Sequence, residues 1–576
     1  MAARRWPIRC AGQRPDLQIG PPRNCKYDGP RGCHAPAVRA EPGRSPVSTT
    51  PSSLRRELRV VNPATLEDVG LVATTEPEGV GEIVAEARYA QEQWARQPFA
   101  VRTRLLRDAA RALLESMDEI AATIVAETGK PTLEAITTEV FVSLDTLAWL
   151  ARHAGQVLRR ERVPFRQPHL LHKRGWLSYE PLGVVAIVSP WNFPFSIPFT
   201  QAATAVAAGN AAVVKPAELT PLSGAWVEEI FRRAGAPTGL VRVVQGTGET
   251  VGDTLVRSRG IGRIVFTGSP AVGRAVAVNA AERLCPVTLE LGGKDPMLVL
   301  GDADLDRAVE GALWGSFSNC GQICSGVERI YVEGDLFDPF VSRLLDRAAA
   351  LTIGDGSNAD VELGPLVSEE QRSHVEDLVA DAVAAGAVLV AGGGRPDVGL
   401  PGWFHEPTIL VGEPDARISG EEIFGPVVTI VKIDNAEDGI RRSNASTYGL
   451  GASVWTRDRA KARAVASRLE AGSVWTNDVA YSYGACQAPW GGRKESGFGR
   501  THAQHGLREL SHVKFSDADS GRVSPPWWFP YDDRAADGFR AAAGVVYGRG
   551  AAARARVLWR QRRGLVALGR RALGRR

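Results

Sequence analysis

Between residues 183 and 269 the chain repeats one pattern four times: a short apolar, β-branched run closed by Gly, Pro or Ser, followed by helix-compatible sequence. The runs are "GVVAIVSP", "NAAVVKP", "LVRVVQG" and "RIVFTGS". This β-then-α alternation predicts a doubly wound parallel sheet, because parallel neighbours can be joined only through a crossover. A second alternating block runs from "MLVL" through "RIYVEG", "AVLVAGG" and "VVTIVKI" to "ASVWT". Two α/β units in series predict two lobes with a cleft between them, and ligands of such sheets bind beyond the carboxyl ends of the strands. Upstream, from about 77 to 160, apolar residues recur every three or four positions, so this region is read as helical.

Charge and cysteine usage narrow the function. The net charge of +4 hides an asymmetry: residues 1–54 carry nine Lys/Arg against three acids, and residues 538–576 carry eleven Arg and no acid, which leaves 55–537 at −13. An acidic centre offers no basic groove for nucleic acid. Seven cysteines (10, 25, 33, 285, 320, 324 and 486) are odd in number and unevenly placed. That argues for a reducing, cytoplasmic setting and against a disulfide framework. No second tight Cys or His pair accompanies Cys320 and Cys324, so no metal is expected. No apolar run reaches the roughly 18 residues that a spanning helix needs. Residues 1–55, rich in Arg, Pro and Gly, read as a disordered basic extension or as the product of an over-extended start site.

Several short stretches carry chemistry. In "FTGSPAVG" (266–273) a strand runs into Gly268-Ser269 and a helix begins near Pro270, which aims backbone N–H groups at whatever sits there, usually phosphate. Taken alone, it is equally a tight strand–helix turn. "KPAELTPLS" adds Lys215 and Glu218 at another strand end, which suit ribose hydroxyls or could form a surface pair. "PWNFP" fixes Asn192 between prolines; a rigidly held amide suits a developing oxyanion, although the stretch by itself reads first as a structural turn. "TLELGGKDP" ends a strand on Glu290, where partial desolvation raises a carboxyl toward general-base duty. "FSNCGQICSG" places two thiols four residues apart, and by itself leaves open a clamp, a redox pair, or one nucleophile with a bystander.

Together these stretches resemble the aldehyde dehydrogenase superfamily. The resemblance rests on "PWNFP" (190–194), "VVKPAE" (213–218), "FTGSPAVG", "LELGGKDP" (289–296), "GQICSG" (321–326), "EEIFGPVV" (421–428) and "PWGGRKESGFGR" (489–500), in family order over about 58–516. It implies an α/β fold with a Rossmann-type cofactor domain, an α/β catalytic domain and a small β oligomerisation element. The implied boundaries are 56–165 and 184–289 for the NAD-binding domain, 166–183 and 501–516 for the oligomerisation strands, and 290–500 for the catalytic domain. Residues 517–576 form an Arg-rich extension. The resemblance makes Cys324, two places after Gly321-Gln322, the nucleophile, held as an accessible low-pKa thiolate, and leaves Cys320 as the bystander. Glu290 becomes the base and Asn192 the oxyanion donor.

The implied cofactor is NAD, with NADP as the other candidate. Lys215 and Glu218 match positions at the adenosine ribose, Ser269 a pyrophosphate contact, and Glu422 and Phe424 the nicotinamide ribose and ring. Further cofactor positions are Trp191, Gly248, Thr267, Gly268, Gly273 and Leu291. Lys294 and Asn477 fall in family motifs as structural support. Phe193, Thr200 and the region from Tyr481 to Trp490 are candidates for lining the path of a small-molecule aldehyde. The implied reaction is oxidation to the carboxylic acid through a thiohemiacetal and a thioester, in a homodimer or homotetramer. The rivals are transfer of the thioester to coenzyme A, which Glu290 disfavours, and a non-catalytic, membrane-associated binding protein of the same fold, which would have lost a catalytic group.

The tail departs from the family ending. Taken as one helix, Val557, Leu558, Trp559, Leu565, Val566, Leu568 and Leu573 gather on one half, and Arg556, Arg560, Arg563, Arg570 and Arg571 on the other. Two readings stand level: a basic amphipathic segment lying peripherally on the inner face of a membrane, and a solubilising tail without structure.

Overall fold

The computed structural model describes residues 57–574, so the basic N-terminal extension expected for 1–55 lies outside the described residues. The described chain opens with a hairpin, β1 (Glu57–Val61) against β2 (Asp68–Ala73). Helices α1 (Val80–Trp94), α2 (Phe99–Glu115), α3 (Met117–Thr128) and α4 (Val142–Val157) follow. Their helical spacing turns one stripe inward; in α2 this stripe is Leu105, Leu106, Ala109, Ala112 and Leu113. Two strands come next, β3 (Glu161–Val163) and β4 (Lys173–Pro181).

The first alternating block builds β5 (Val184–Val188), α5 (Ser196–Ala208), β6 (Ala211–Lys215), α6 (Pro221–Arg233), β7 (Val241–Val243), β8 (Ile261–Thr267), α7 (Pro270–Ala281) and β9 (Val287–Glu290). The five strands pair in parallel in the order β9-β8-β5-β6-β7. β6 is buried along its whole length. Strands covered on both faces read as unbroken apolar runs, which is why this block was legible.

The second block supplies β10 (Asp295–Val299), α8 (Leu305–Phe317), β11 (Val327–Glu333), β12 (Val388–Ala391), β13 (Thr408–Val411), β14 (Val427–Ile433), β15 (Gly451–Trp455) and β16 (Ser473–Thr476). They form a seven-stranded sheet in the order β12-β13-β14-β11-β10-β15-β16, with only the β12–β13 pair antiparallel. Separate apolar cores lie against the two sheets.

The expected domain boundaries shift in three places. The strand β17 (Gly497–Phe498), from the stretch assigned to the catalytic domain, pairs antiparallel with β9 and sets Gly497 opposite Glu290. Residues of the expected strand region 501–516 include a helix, α9 (Ala503–Glu509), before β18 (Ser511–Asp519) begins. The small sheet, ordered β18-β4-β3, starts at Glu161 and runs to Asp519, beyond the 166 and 516 limits.

The C-terminal extension is neither one continuous helix nor without partners. It folds as α10 (Asp533–Tyr547), α11 (Ala551–Arg560) and α12 (Arg562–Ala572), with a break at Gln561. α10 and α12 come close enough that a Cβ on Gly538 would meet the Gly564 carbonyl oxygen at 2.7 Å. The apolar half of the expected helix is therefore divided: Val557, Leu565 and Leu568 are half-buried, whereas Leu558, Trp559, Val566 and Leu573 stay exposed. Trp527 meets His169 edge-on at 5.6 Å and ties the extension to the segment before β4. Among the described residues no helix is long and apolar enough to cross a membrane.

Candidate active site

The site joins opposite ends of the two sheets. Glu290 ends β9, and Thr267-Gly268-Ser269 end β8, so the first sheet contributes its carboxyl edge. The second sheet contributes the segments entering its strands: Gly292 and Gly293 before β10, Cys324 before β11, and Glu422 and Phe424 before β14. The residues proposed for the site thus lie at strand carboxyl ends in the first sheet and at strand entries in the second, where carboxyl ends were expected for both. A cavity of about 660 Å³ lies between them, lined by Asn192, Glu290, Cys324, Glu422 and Phe424 among others.

Cys324 is delivered by α8 through a tight turn in which Asn319 and Cys320 both take positive φ, at 49° and 55°. Cys320 is buried, and Cys324 is half-buried and faces the cavity. Gly321 (φ 69°) makes the turn possible, since a Cβ there would sit 2.0 Å from the Gly425 carbonyl oxygen. Gly293 does the same from below: its Cβ would sit 2.2 Å from the Cys324 carbonyl oxygen. The Glu134 carboxylate accepts the Asn319 N–H with both oxygens at 3.0 Å and so holds the turn.

Asn192 is fixed by more than its flanking prolines. Its Nδ2 donates to the Gln322 carbonyl oxygen at 2.9 Å, which leaves its second N–H for the cavity. Its backbone carbonyl oxygen accepts from Lys130 Nζ at 2.8 Å and from Asn319 Nδ2 at 3.1 Å. Lys130 in turn donates to Glu139 at 2.8 Å, and both side chains are buried. The other Glu139 oxygen takes the Phe195 and Ser196 N–H groups at 3.0 and 2.8 Å, at the start of α5.

A second ion pair holds the other wall. Lys294 donates to Glu328 at 2.6 Å, and Glu328 accepts the N–H groups of Ile423 and Phe424 at 2.9 and 3.0 Å. Glu422 accepts from the Gly293 N–H at 2.8 Å, and Phe424 meets Trp191 edge-on at 5.4 Å. Asn477 is engaged with the Thr456 backbone and lies outside the cavity. Thr200 is buried behind the cavity wall, bonded to the Ser196 carbonyl and to the Tyr483 hydroxyl, so it is not a lining residue.

Burial dominates the electrostatics. It pushes the Glu290 carboxyl up to about 7, against a lowering by the Thr501 hydroxyl bonded to it and by Arg500. Burial likewise raises Glu422 and Asp295 to about 8. The Cys324 thiol is pushed well up by burial and then by the charges of Glu422, Asp295 and Glu290. The expected low-pKa thiolate is therefore corrected: the sulfur rests as a thiol until a neighbouring base takes its proton.

Apart from Gly273, the residues expected at the cofactor fall into two groups. Trp191, Thr267, Gly268, Ser269, Leu291, Glu422 and Phe424 line the cavity. Lys215 and Glu218 lie at the carboxyl end of β6, paired at 2.8 Å, and Gly248 stands close by with open space where a Cβ would be. Ser269 caps α7, its hydroxyl accepting the Val272 N–H, and Pro270 follows as the first helical residue. This open-ended helix N-terminus, free of an acidic side chain in its first turn, fits a pyrophosphate. Gly273 serves packing, because a Cβ there would meet Leu291 Cδ2 at 2.5 Å.

Sequence reasoning missed Lys130, Glu134, Glu139, Glu328, Thr501 and His502. Thr501 stands one position beyond the quoted "PWGGRKESGFGR" motif, a signal that was available; for the acid–base pairs there was none, since charged residues read as surface whatever element carries them.

A profile described as the aldehyde dehydrogenase family matches residues 49–516. A betaine aldehyde dehydrogenase of Rhizobium etli (strain CIAT 652) is 38% identical over 467 residues, covering 81% of this chain and 94% of that protein. Among solved structures, the NAD+ complex of an aldehyde dehydrogenase from Bacillus cereus has a TM-score of 0.77 at 34% identity, covering 81% of this chain and 93% of its own. An E. coli structure described as an NADP-dependent enzyme has a TM-score of 0.77 at 35% identity, covering 80% and 95%.

Proposed function

Since the chain belongs to the aldehyde dehydrogenase family, and so oxidises an aldehyde to the carboxylic acid with NAD(P)+, we propose that Cys324, Glu290 and Asn192 carry the chemistry. The observation behind this reading is that all three face one cavity between the two sheets. NAD(P)+, when bound, supplies the hydride acceptor. Lys215, Glu218 and Gly248 would hold its adenosine end, Thr267, Gly268 and Ser269 its pyrophosphate, and Trp191, Leu291, Glu422 and Phe424 its nicotinamide end.

In this reading Glu290 takes the thiol proton as the Cys324 sulfur bonds to the aldehyde carbon. The oxygen that becomes an oxyanion is met by the free N–H of Asn192 and the Cys324 backbone N–H. Loss of hydride from carbon leaves a thioester on Cys324. Glu290 then gives up the thiol proton to solvent and, ionised again, deprotonates a water that adds to the thioester carbon; the C–S bond breaks, the sulfur takes the proton back from Glu290, and the acid departs. The aromatic lining, including Phe193, Trp314, Tyr481, Tyr483 and Trp490, suits an apolar aldehyde of moderate length. The name of the Rhizobium relative makes betaine aldehyde the competing substrate, and a screen of aldehydes graded in length and charge separates the two. The roles are tested by Cys324→Ala, which abolishes aldehyde oxidation, beside Cys320→Ala, which keeps most of it; the reverse outcome sinks the assignment.

The domain assignment carries over with the strand limits given above: a cofactor lobe on the first sheet and a catalytic lobe on the second. A homodimer or homotetramer is proposed through the outer edge of β18, where Val513 and Phe515 are exposed. A cytoplasmic setting is supported by the unpaired thiols of the four described cysteines. Contact with the inner face of a membrane is supported by the exposed Trp528, Phe529, Trp559 and Leu573 among the tail arginines.

A further inference from the structure

Glu290 does not stand alone at the end of β9. The Thr501 hydroxyl donates to its Oε1, and the Thr501 oxygen lies 3.0 Å from His502 Nδ1. Backbone bonds in both directions with Trp490, of 2.9 and 3.0 Å, pin Thr501, and β17 pins Glu290 through Gly497. His502 is buried, stacked edge-on against Tyr483 at 4.7 Å, and holds φ at 61°, a value that costs a non-glycine residue strain.

Hydrogen-bond accounting gives this group a direction. Thr501 has one hydroxyl proton, and it goes to the carboxylate, so its contact with His502 requires that the ring donate from Nδ1. Among the described residues His502 Nε2 has no hydrogen-bond partner, and it faces a small internal cavity of about 20 Å³ lined by Thr200, Gln201, Thr288, Arg500 and Glu509. A bare ring nitrogen tolerates that position better than an orphaned N–H would, which points to the same tautomer. Burial lowers the His502 pKa to about 4, so the ring stays neutral.

We propose that His502 and Thr501 form a one-way hydrogen-bond chain, His502 Nδ1–H to Thr501 Oγ1 and Thr501 O–H to Glu290 Oε1, that orients the Glu290 carboxylate and leaves Oε2 to take the proton of the attacking water. His502 and Thr501 are positioning residues and touch no reacting atom. The inference rests on Glu290 being the base. The other groups facing Glu290 are Arg500, whose Nη1 is tied to the Gly492 and Gly499 carbonyls, the Cys324 thiol and the buried Tyr483 hydroxyl. Of these, Arg500 lowers the Glu290 pKa and remains in place in every variant below.

The test is the pH profile of steady-state turnover with an aldehyde the wild type oxidises, using the full chain. Losing the donor in Thr501→Val raises the Glu290 pKa, so the acidic limb moves to higher pH by about one unit. Turnover at pH 7 then falls about fivefold and recovers near pH 9, following the ionised fraction. Thr501→Ser keeps the wild-type limb. His502→Asn, whose amide can donate from the Nδ1 position, stays close to wild type, whereas His502→Leu moves the limb the same way as Thr501→Val, by less. An unmoved limb in Thr501→Val, or an equal loss at every pH, overturns the chain. If Thr501→Val does not fold, the His502→Asn and His502→Leu pair decides alone, and identical limbs overturn it. Glu290→Gln run alongside separates the two levels. Near-normal turnover in that variant removes the base itself, while its loss together with an unmoved Thr501→Val limb removes only this inference.

Discussion

Lys130 Nζ donates to the carbonyl oxygen of Asn192 across 2.8 Å, from a helix end 62 residues upstream. The proposed oxyanion donor is thus positioned by a buried cation that is itself neutralised by Glu139. Removing one member of a buried pair strands the other charge, at a cost of about 3–5 kcal/mol. Lys130→Met is therefore expected to lower thermal stability and to depress kcat at the same time. Glu139→Gln in the same chain should restore part of the stability but not the kcat, because the Asn192 carbonyl still lacks its donor. Scanning calorimetry and steady-state kinetics on the single and double variants check both parts, and a double variant with full kcat would show that Lys130 does not position Asn192.

Glu290→Gln is expected to separate the two halves of the reaction. Acylation can occur once without a base for water, so a burst of NADH precedes a slow steady state. Because Glu290 also takes the thiol proton in this reading, the burst rate should fall too, though less than the steady-state rate. Stopped-flow absorbance of NADH measures both, and steady turnover near the wild-type value would place the base elsewhere.

Cofactor choice is expected to turn on Glu218. Its carboxylate is lowered below the usual range by Lys215 and by hydrogen bonds, against a raising by burial, and stays charged at neutral pH. A 2′-phosphate brought to it meets like charge, the repulsive element by which sites discriminate. The kcat/KM for NAD should exceed that for NADP by about tenfold or more. Glu218→Gln should narrow the gap; equal values for the two cofactors in the wild type would refute the assignment.

Truncation after Ser520 is expected to leave kcat within about twofold, since every residue lining the cavity lies upstream. Its effect should be on location. Arginines near an anionic surface contribute about 1 kcal/mol each, screened over a Debye length of about 8 Å. Co-sedimentation of the full chain with vesicles containing phosphatidylserine should be lost on truncation and in high salt. Because Trp527 sits against His169, a fall in thermal stability without a change in vesicle binding would assign the extension a structural role instead.

What the sequence determined by itself was whatever is contiguous. Most strands of both sheets, though not the short β13, β16 and β17, the turn after β8, the loop bearing Cys324 and the end of β9 at Glu290 are each written in ten residues or fewer. Local propensity and turn chemistry act at that range. The tertiary structure decided everything that spans elements. The Phe424 N–H finds Glu328 across 96 residues, and Thr501 finds Glu290 across 211. No local pattern announces these partners: a buried Lys–Glu pair uses the same residues as a solvated helix face, and only the packing of two sheets says which charges lose their water. The thiol shows the same limit. The resemblance implied an accessible thiolate, but the burial that chiefly raises its pKa and the three carboxyls that add to it, from β9, from the entry to β10 and from the segment before β14, arise only on folding.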